Sequence, residues 1–149
     1  MAKVDDSTTT MKELRELQMA FVKERNWEKF QNMRSLAISV SLEANELLEH
    51  FQWLNDEEVL TLEKDKAKIA ELSEEMADIL NYILIASDRL GIDLSKVLAN
   101  KIAKNRAKYP KKHFRKLTWE EDNKKYQELR EAHFNKLHKM HQDYMKRGK

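Results

Sequence analysis

Glycine and proline are almost absent from this chain, and their scarcity limits the folds that it can adopt. The sequence has 2 Gly and 1 Pro among 149 residues, and 36% of its residues are charged. Tight turns and hairpins depend on glycine and proline, so this composition favours long helices over strands. Gly91 and Pro110 stand where a helix is expected to end, because glycine terminates helices and proline interrupts them. The composition predicts an all-α fold.

Apolar residues recur at helical spacing in five segments of the chain. The first and the last open on a capping box, Thr10 with Glu13 and Thr118 with Glu121. The polar and acidic residues 55–65 are predicted to form a loop. Together the segments indicate a four-helix bundle with an extra C-terminal helix. The predicted helices span residues 10–25, 27–53, 67–90, 94–108 and 118–145.

Charge divides the chain near Pro110. Residues 1–110 carry 16 Lys/Arg and 20 Asp/Glu, whereas residues 111–149 carry 12 and 6. We interpret this as an acidic core followed by a basic extension. The chain has no cysteine, its first residues lack the apolar run of a signal peptide, and no segment is apolar enough to span a membrane. We therefore expect a protein of the cytoplasm that does not enter membranes.

Two predicted helices carry acid pairs at three-residue spacing, Glu43 with Glu46 and Glu75 with Asp78. Residues at this spacing share one helical face, and apolar residues surround both pairs. If those apolar faces pack together, four carboxylates converge and repel one another unless a divalent cation binds them. The alternative is a solvated acidic surface, although lysine and arginine are nearly absent around both pairs.

The kind of metal follows from the ligands that the sequence offers. Neither the Glu-x-x-His of di-iron bundles nor the His-Glu-x-x-His of zinc proteases occurs at these places. A site built only from carboxylates favours Mg²⁺ or Mn²⁺. These ions commonly serve reactions of phosphate groups, so phosphate chemistry is the expected function.

Four separated strings resemble the MazG-like all-α nucleoside triphosphate pyrophosphohydrolases, with the dCTP pyrophosphatase branch the most similar. They are RNWEKF, EANELLEHFQWL, ELSEEMADILNYIL and GIDLSKVLANKIAKNRAKYP. The resemblance implies an Mg²⁺-dependent hydrolysis of (d)NTPs to monophosphate and pyrophosphate, with water attacking the α-phosphorus. It also implies a homo-oligomer, either a tetramer or a dimer. Gln18 stands where the dCTP branch has histidine, so the preferred base stays open.

The resemblance also assigns roles to individual residues. The two acid pairs become the metal ligands. Trp27 and Trp53 contact the base, Tyr82 lies against the sugar, and Lys101 and Asn105 hold phosphate and sugar or base groups. Without the resemblance, the two tryptophans fit a core or an interface as well as they fit a binding site. Tyr82 lies in an apolar run and would then be a core residue, and Lys101 and Asn105 would lie at the surface.

Glu49 continues the acidic row of the first pair by one more three-residue step. It is a candidate for the base that orients the attacking water. This candidate completes the set of residues expected to take part in catalysis.

The resemblance ends near residue 112, which predicts a domain over 1–112 and a basic helical extension over 113–149. The extension is consistent with an oligomer-forming helix, a nucleic-acid contact or a solvated helix. Its histidines alternate with lysines and do not indicate a metal site. The rival to the enzyme is therefore a non-catalytic helical module for assembly or nucleic-acid binding.

Overall fold

The computed structural model describes residues 4–114 and 118–147. Helices are the only regular secondary structure in these residues, which confirms the predicted all-α fold. Two short 3-10 helices, Glu28–Phe30 and Lys111–His113, interrupt the connections. The α-helices are α1 (Met11–Glu24), α2 (Met33–Glu49), α3 (Asp56–Leu62), α4 (Lys66–Arg89), α5 (Leu94–Lys108) and α6 (Trp119–Arg147).

The chain forms two compact units, the first ending at Leu94 and the second beginning at Ser95. The predicted domain boundary at residue 112 stays a prediction. Among the described residues, no helix combines the length and the apolar character that a membrane span requires.

Capping residues explain why α1 and α4 begin where the sequence predicts. The Thr10 hydroxyl accepts a hydrogen bond from the Glu13 N–H, and the Glu13 carboxylate accepts one from the Thr10 N–H. At α4, the Asp65 carboxylate accepts bonds from the N–H groups of Ala67 and Lys68. These side chains satisfy donors that the first helical turn leaves without partners.

The prediction of one helix over residues 27–53 is wrong at both ends. Asn26 adopts a positive φ of 54°, which stops the chain from continuing as a helix, and a 3-10 helix follows. Asn32 caps the true start of α2, because its side chain accepts a hydrogen bond from the Ser35 N–H. The helix ends at Glu49, and Trp53 lies in the turn that follows.

The predicted loop over residues 55–65 is also wrong, because α3 occupies most of it. Asn55 and Glu58 form a capping box at its start. The acidic residues of the first turn, which resemble a loop by composition, suit the positive end of the helix dipole. Polarity alone was therefore a poor guide to structure in this segment.

The first unit is built on α4, against which both α1 and α2 pack. Arg15 of α1 donates a hydrogen bond of 2.9 Å to the Ile92 carbonyl and lies 3.8 Å from the Asp88 carboxylate. These contacts secure α1 at the C-terminal end of α4. The buried apolar side chains of the described residues are Val22, Leu36, Leu84 and Ile85.

This core is thin, and large apolar side chains remain exposed on all the longer helices. Leu42 and Leu48 of α2 and Met76 and Leu80 of α4 are examples in the first unit. Exposed apolar surface on this scale is typical of faces that a partner covers. The predicted homo-oligomer is consistent with this surface and stays a prediction.

Gly91 ends α4 with a backbone conformation that other residues resist. Its φ is 63°, its N–H bonds to the Asp88 carbonyl, and the Ile92 N–H bonds to the Ser87 carbonyl at 2.8 Å. This pattern of two backbone bonds closes the last helical turn and reverses the chain. The prediction that α4 stops before Gly91 is confirmed.

We expect Gly91→Ala to lower the free energy of unfolding by about 1–2 kcal/mol, because a Cβ disfavours the left-handed conformation. The space around the glycine is open, so the cost comes from the backbone and not from a clash. Urea denaturation followed by circular dichroism measures the difference. Gly91→Asn is the control, and it should cost less because asparagine tolerates this conformation. Equal stability of the alanine variant and the wild type would contradict the assignment.

The second unit contains α5 and α6, whose predicted bounds agree with the structure to within two residues. Thr118 and Glu121 form the predicted capping box at the start of α6. The rings of Tyr109 and Tyr126 stack with centroids 5.1 Å apart, and Phe114 packs edge-on against Tyr109. These aromatic contacts join the end of α5 to α6.

Candidate functional site

The packing of α2 against α4 brings three of the predicted carboxylates together. Glu43 and Glu46 of α2 and Glu75 of α4 each place an oxygen within 4.8 Å of the others. Glu43 and Glu75 are half-buried, whereas Glu46 is exposed. We call these three residues the carboxylate cluster. Its members come from both acid pairs, as the sequence predicts.

The cluster carries an unfavourable concentration of negative charge. The pKa of Glu43 is raised above its ordinary value, first by burial and then by the charges of Glu46, Asp78 and Glu75. Repulsion of this kind is relieved when a cation binds. In the metal-free chain, the cluster is therefore an electrostatically strained part of the fold.

The ligands present fit a hard divalent cation. Oxygens on opposite sides of an Mg²⁺ ion lie about 4.2 Å apart, twice the ordinary Mg–O distance. The oxygens of the cluster lie within 4.8 Å of one another, a spacing close to that of ligands on one ion. Carboxylate oxygens are also the ligands that Mg²⁺ and Mn²⁺ prefer.

Asp78, the fourth predicted ligand, lies near the cluster but outside this group of three oxygens. Its charge contributes to the raised pKa of Glu43, and its carboxylate accepts a hydrogen bond of 3.2 Å from the Asn81 amide. The structure thus brings three of the four predicted ligands together and places the fourth within electrostatic reach. A site formed by all four stays a prediction.

A cavity of about 390 Å³ adjoins Asp78 in the same unit. Trp27 and Tyr82, two of the predicted substrate contacts, both line it. Its size lies within the range of sites for small ligands, and aromatic walls are typical of pockets that receive a base. The remaining lining residues are Gln18, Phe21, Val22, Gln31, Asn81 and Ile85.

Phe21 and Asn81 are among the lining residues that were not predicted as site residues from the sequence. Phe21 packs edge-on against Trp27, with ring centroids 5.7 Å apart, and the Arg25 guanidinium lies over the Phe21 ring, 3.7 Å from its centroid. Asn81 lies three residues after Asp78, and that spacing alone could have indicated their contact.

The other predicted site residues belong neither to the cluster nor to the lining of this cavity. Trp53 is 86% exposed in the turn after α2, and Glu49 is exposed at the end of that helix. Lys101 and Asn105 belong to the second unit, where they line a different cavity between α5 and α6. The predicted roles of these four residues stay predictions.

The helical fold and the carboxylate cluster define an all-α protein with an acidic site suited to a divalent cation. A family model described as MazG-like matches residues 38–129. The chain therefore belongs to the MazG-like family, and the resemblance inferred from its acid pairs is confirmed. The match continues past residue 112 into α6.

Named relatives and a solved structure agree with this assignment. The chain is 36% identical to dCTP pyrophosphatase 1 of Bos taurus over 104 residues, which are 70% of this chain and 62% of that protein. It is 35% identical to dCTP pyrophosphatase 1 of Homo sapiens over 101 residues, which are 68% and 59% of the two chains. The matches therefore span about three fifths of these relatives.

The crystal structure of a pyrophosphatase from Archaeoglobus fulgidus has the same fold. The two structures superpose with a TM-score of 0.61 and share 38% sequence identity. The superposition covers 72% of this chain and 99% of the archaeal one.

Proposed function

We propose that the protein hydrolyses deoxynucleoside triphosphates, dCTP among them, to the monophosphate and pyrophosphate in an Mg²⁺-dependent reaction. The observation that carries this proposal is the carboxylate cluster, which lies beside Asp78 and its aromatic cavity. The names of the relatives, dCTP pyrophosphatase 1 and pyrophosphatase, support the same activity.

In this proposal Glu43, Glu46, Glu75 and Asp78 hold the metal. The bound cation supplies charge neutralisation at the phosphates and a lowered pKa for the water that attacks the α-phosphorus. Through the metal, these carboxylates would fix the position of the phosphates relative to the protein. Glu49 remains our candidate for the base that orients the water.

The cavity would receive the base and the sugar. Trp27 offers a ring face on which a base can stack, and such stacking is worth about 1–3 kcal/mol with little dependence on the base. Tyr82 lies on the wall shared with Asp78, where a sugar would follow the phosphates. Gln18 and Asn81 provide amides that can hydrogen-bond to the edge of the base.

Further contacts would come from residues outside the first unit's cavity. Lys101 and Asn105 would hold the phosphates and the sugar or base, and Trp53 would add a second aromatic contact. These contacts would suit a homo-oligomer, in which subunits share their sites. The exposed apolar faces, which are typical of surfaces that a partner covers, support the same state. We also propose that the enzyme is cytoplasmic, as expected from the sequence.

A panel of nucleotides tests the activity. Purified protein is incubated with each dNTP and NTP in the presence of Mg²⁺, and pyrophosphate and orthophosphate are measured separately. We expect pyrophosphate release with at least dCTP, and we expect EDTA to abolish it because the site depends on its cation. The ranking of the nucleotides gives the base and sugar preference.

Two outcomes would contradict the proposal. Failure to release pyrophosphate from every nucleotide would favour the non-catalytic module. Release of orthophosphate instead would mean that a different phosphate bond is cleaved.

A further inference from the structure

A groove between α5 and α6 of the second unit collects positively charged side chains. It consists of two cavities, of about 390 and 680 Å³, which share Lys108 and His133. We call it the α5–α6 groove. Only one acidic residue, Glu131, lies among its described lining residues. The cationic residues that line it are Lys101, Lys104, Lys108, Arg130 and Lys136.

The positive charge of the groove is not neutralised locally. Among residues 4–114 and 118–147, no carboxylate forms an ion pair with any of the five cations. The segment 94–119 contains nine Lys/Arg and no Asp/Glu, so the charge excess extends beyond the groove. By contrast, α6 carries seven Lys/Arg and six Asp/Glu and is nearly neutral. The excess charge therefore belongs to α5 and the segment after it.

The effect of this charge is seen at Tyr109. The pKa of its hydroxyl is lowered, first by a hydrogen bond from Lys108 and, in smaller part, by the charges of Lys108 and Arg130. Lys108 of α5 and Arg130 of α6 thus both lower the pKa of the Tyr109 hydroxyl. An anion bound in the groove would experience the same attraction.

An exposed aromatic side chain accompanies these cations. Phe134 lines the larger cavity, is 68% exposed, and stacks on His138 at 6.3 Å with the rings nearly parallel. Gln127 and Asn135, whose side chains carry amides, line the same cavity. A surface that binds single strands combines cations along the phosphate backbone of the nucleic acid with an aromatic face for a base and nearby amides.

We propose that the α5–α6 groove binds single-stranded nucleic acid, with phosphates on its lysines and a base on Phe134. A duplex is disfavoured because its bases are already stacked within the helix and do not reach an aromatic ring. The proposed function assigns Lys101 to the triphosphate, so the strand is placed on Lys104, Lys108, Arg130 and Lys136. The inference is otherwise independent of the carboxylate cluster, since the groove lies wholly in the second unit. It assigns a ligand to residues of α6 that the proposed hydrolysis does not use.

Fluorescence anisotropy tests this proposal with a labelled oligodeoxythymidine of about 20 nucleotides, longer than the site of one small binding domain. EDTA is present throughout, so hydrolysis plays no part. We expect Lys104→Gln/Lys136→Gln to weaken binding and to reduce the slope of log K against log salt by about 1.4, or 0.7 for each phosphate contact. Phe134→Ala should weaken binding about tenfold.

The matched control is Lys124→Gln/Lys139→Gln, which removes the same charge from the same unit outside the groove. Its affinity and salt slope should stay closer to those of the wild type. Circular dichroism verifies that each variant is folded.

Three results would overturn the proposal. The first is an equal loss of affinity in the groove and control variants, which would indicate general attraction to a basic protein. The second is binding of a duplex as tight as that of the single strand with no effect of Phe134→Ala. The third is displacement of the oligonucleotide by dCTP when the two supply the same concentration of phosphate groups. That result would make the groove a triphosphate subsite.

Discussion

Replacing Glu75 by glutamine is expected to lower the rate of pyrophosphate release from dCTP by at least about 100-fold. Loss of a residue that merely supports a metal ligand costs 10–100-fold in metal affinity or activity, and loss of a ligand itself should cost more. Glutamine keeps the size and the hydrogen-bonding capacity of the side chain but removes its charge. The measurement is kcat/KM over a range of Mg²⁺ concentrations, because a weakened metal site partly recovers at high metal.

Glu74 provides the matched control, since it lies beside Glu75 on α4 and is exposed. Successive residues point about 100° apart around a helix, and Glu74 is not one of the carboxylates that converge in the cluster. Glu74→Gln carries the same chemical change and should keep at least half of the wild-type activity. Equal losses in the two variants, or no loss in either, would reject the assignment of Glu75.

Leu36→Ala is expected to lower the free energy of unfolding by about 2–5 kcal/mol, the range for truncating a buried leucine. Leu36 is 1% exposed and packs in one cluster with Val22 and Ile85. This loss is a large share of the free energy of unfolding of a typical domain, which is about 5–15 kcal/mol. Chemical denaturation followed by circular dichroism measures it.

Leu36→Met serves as the control because it nearly preserves volume, and such changes usually cost less than about 1.5 kcal/mol. A destabilisation by alanine no larger than that by methionine would show that Leu36 is not a core residue. The alanine variant should also lose activity when it is partly unfolded, since the packing of α2 on α4 assembles the carboxylate cluster.

Much of the fold could be predicted from the sequence, because the decisive signals are local. The caps at Thr10 and Thr118 and the stop at Gly91 satisfy backbone groups through residues a few positions away. The spacing of Glu43 and Glu46 likewise determines a shared helical face. Such features are set by residues within one turn of helix, so they can be predicted without knowledge of the tertiary packing.

The errors arise where local signals compete. Residues 27–53 keep an apolar helical period, but Asn26 and Asn32 favour a turn and a cap, and these preferences prevailed. In α3, acidic residues that seemed typical of a loop stabilise the first turn of a helix. The cavity of Trp27 could not be predicted either, because it depends on how α1 meets α4.

The cavity takes part of its lining from segments that carry none of the three clustered acids, although Asp78 and Tyr82 of α4 line it too. Gln18 and Phe21 belong to α1, and Trp27 precedes α2, whereas the three acids of the cluster belong to α2 and α4. On the proposed function, the contacts of α1 with the base are thus encoded apart from the metal ligands, whereas α4 contributes to both. Substitutions in α1 can change which nucleotide is accepted without altering the metal ligands. The architecture is consequently one in which substrate range can evolve while the reaction is conserved.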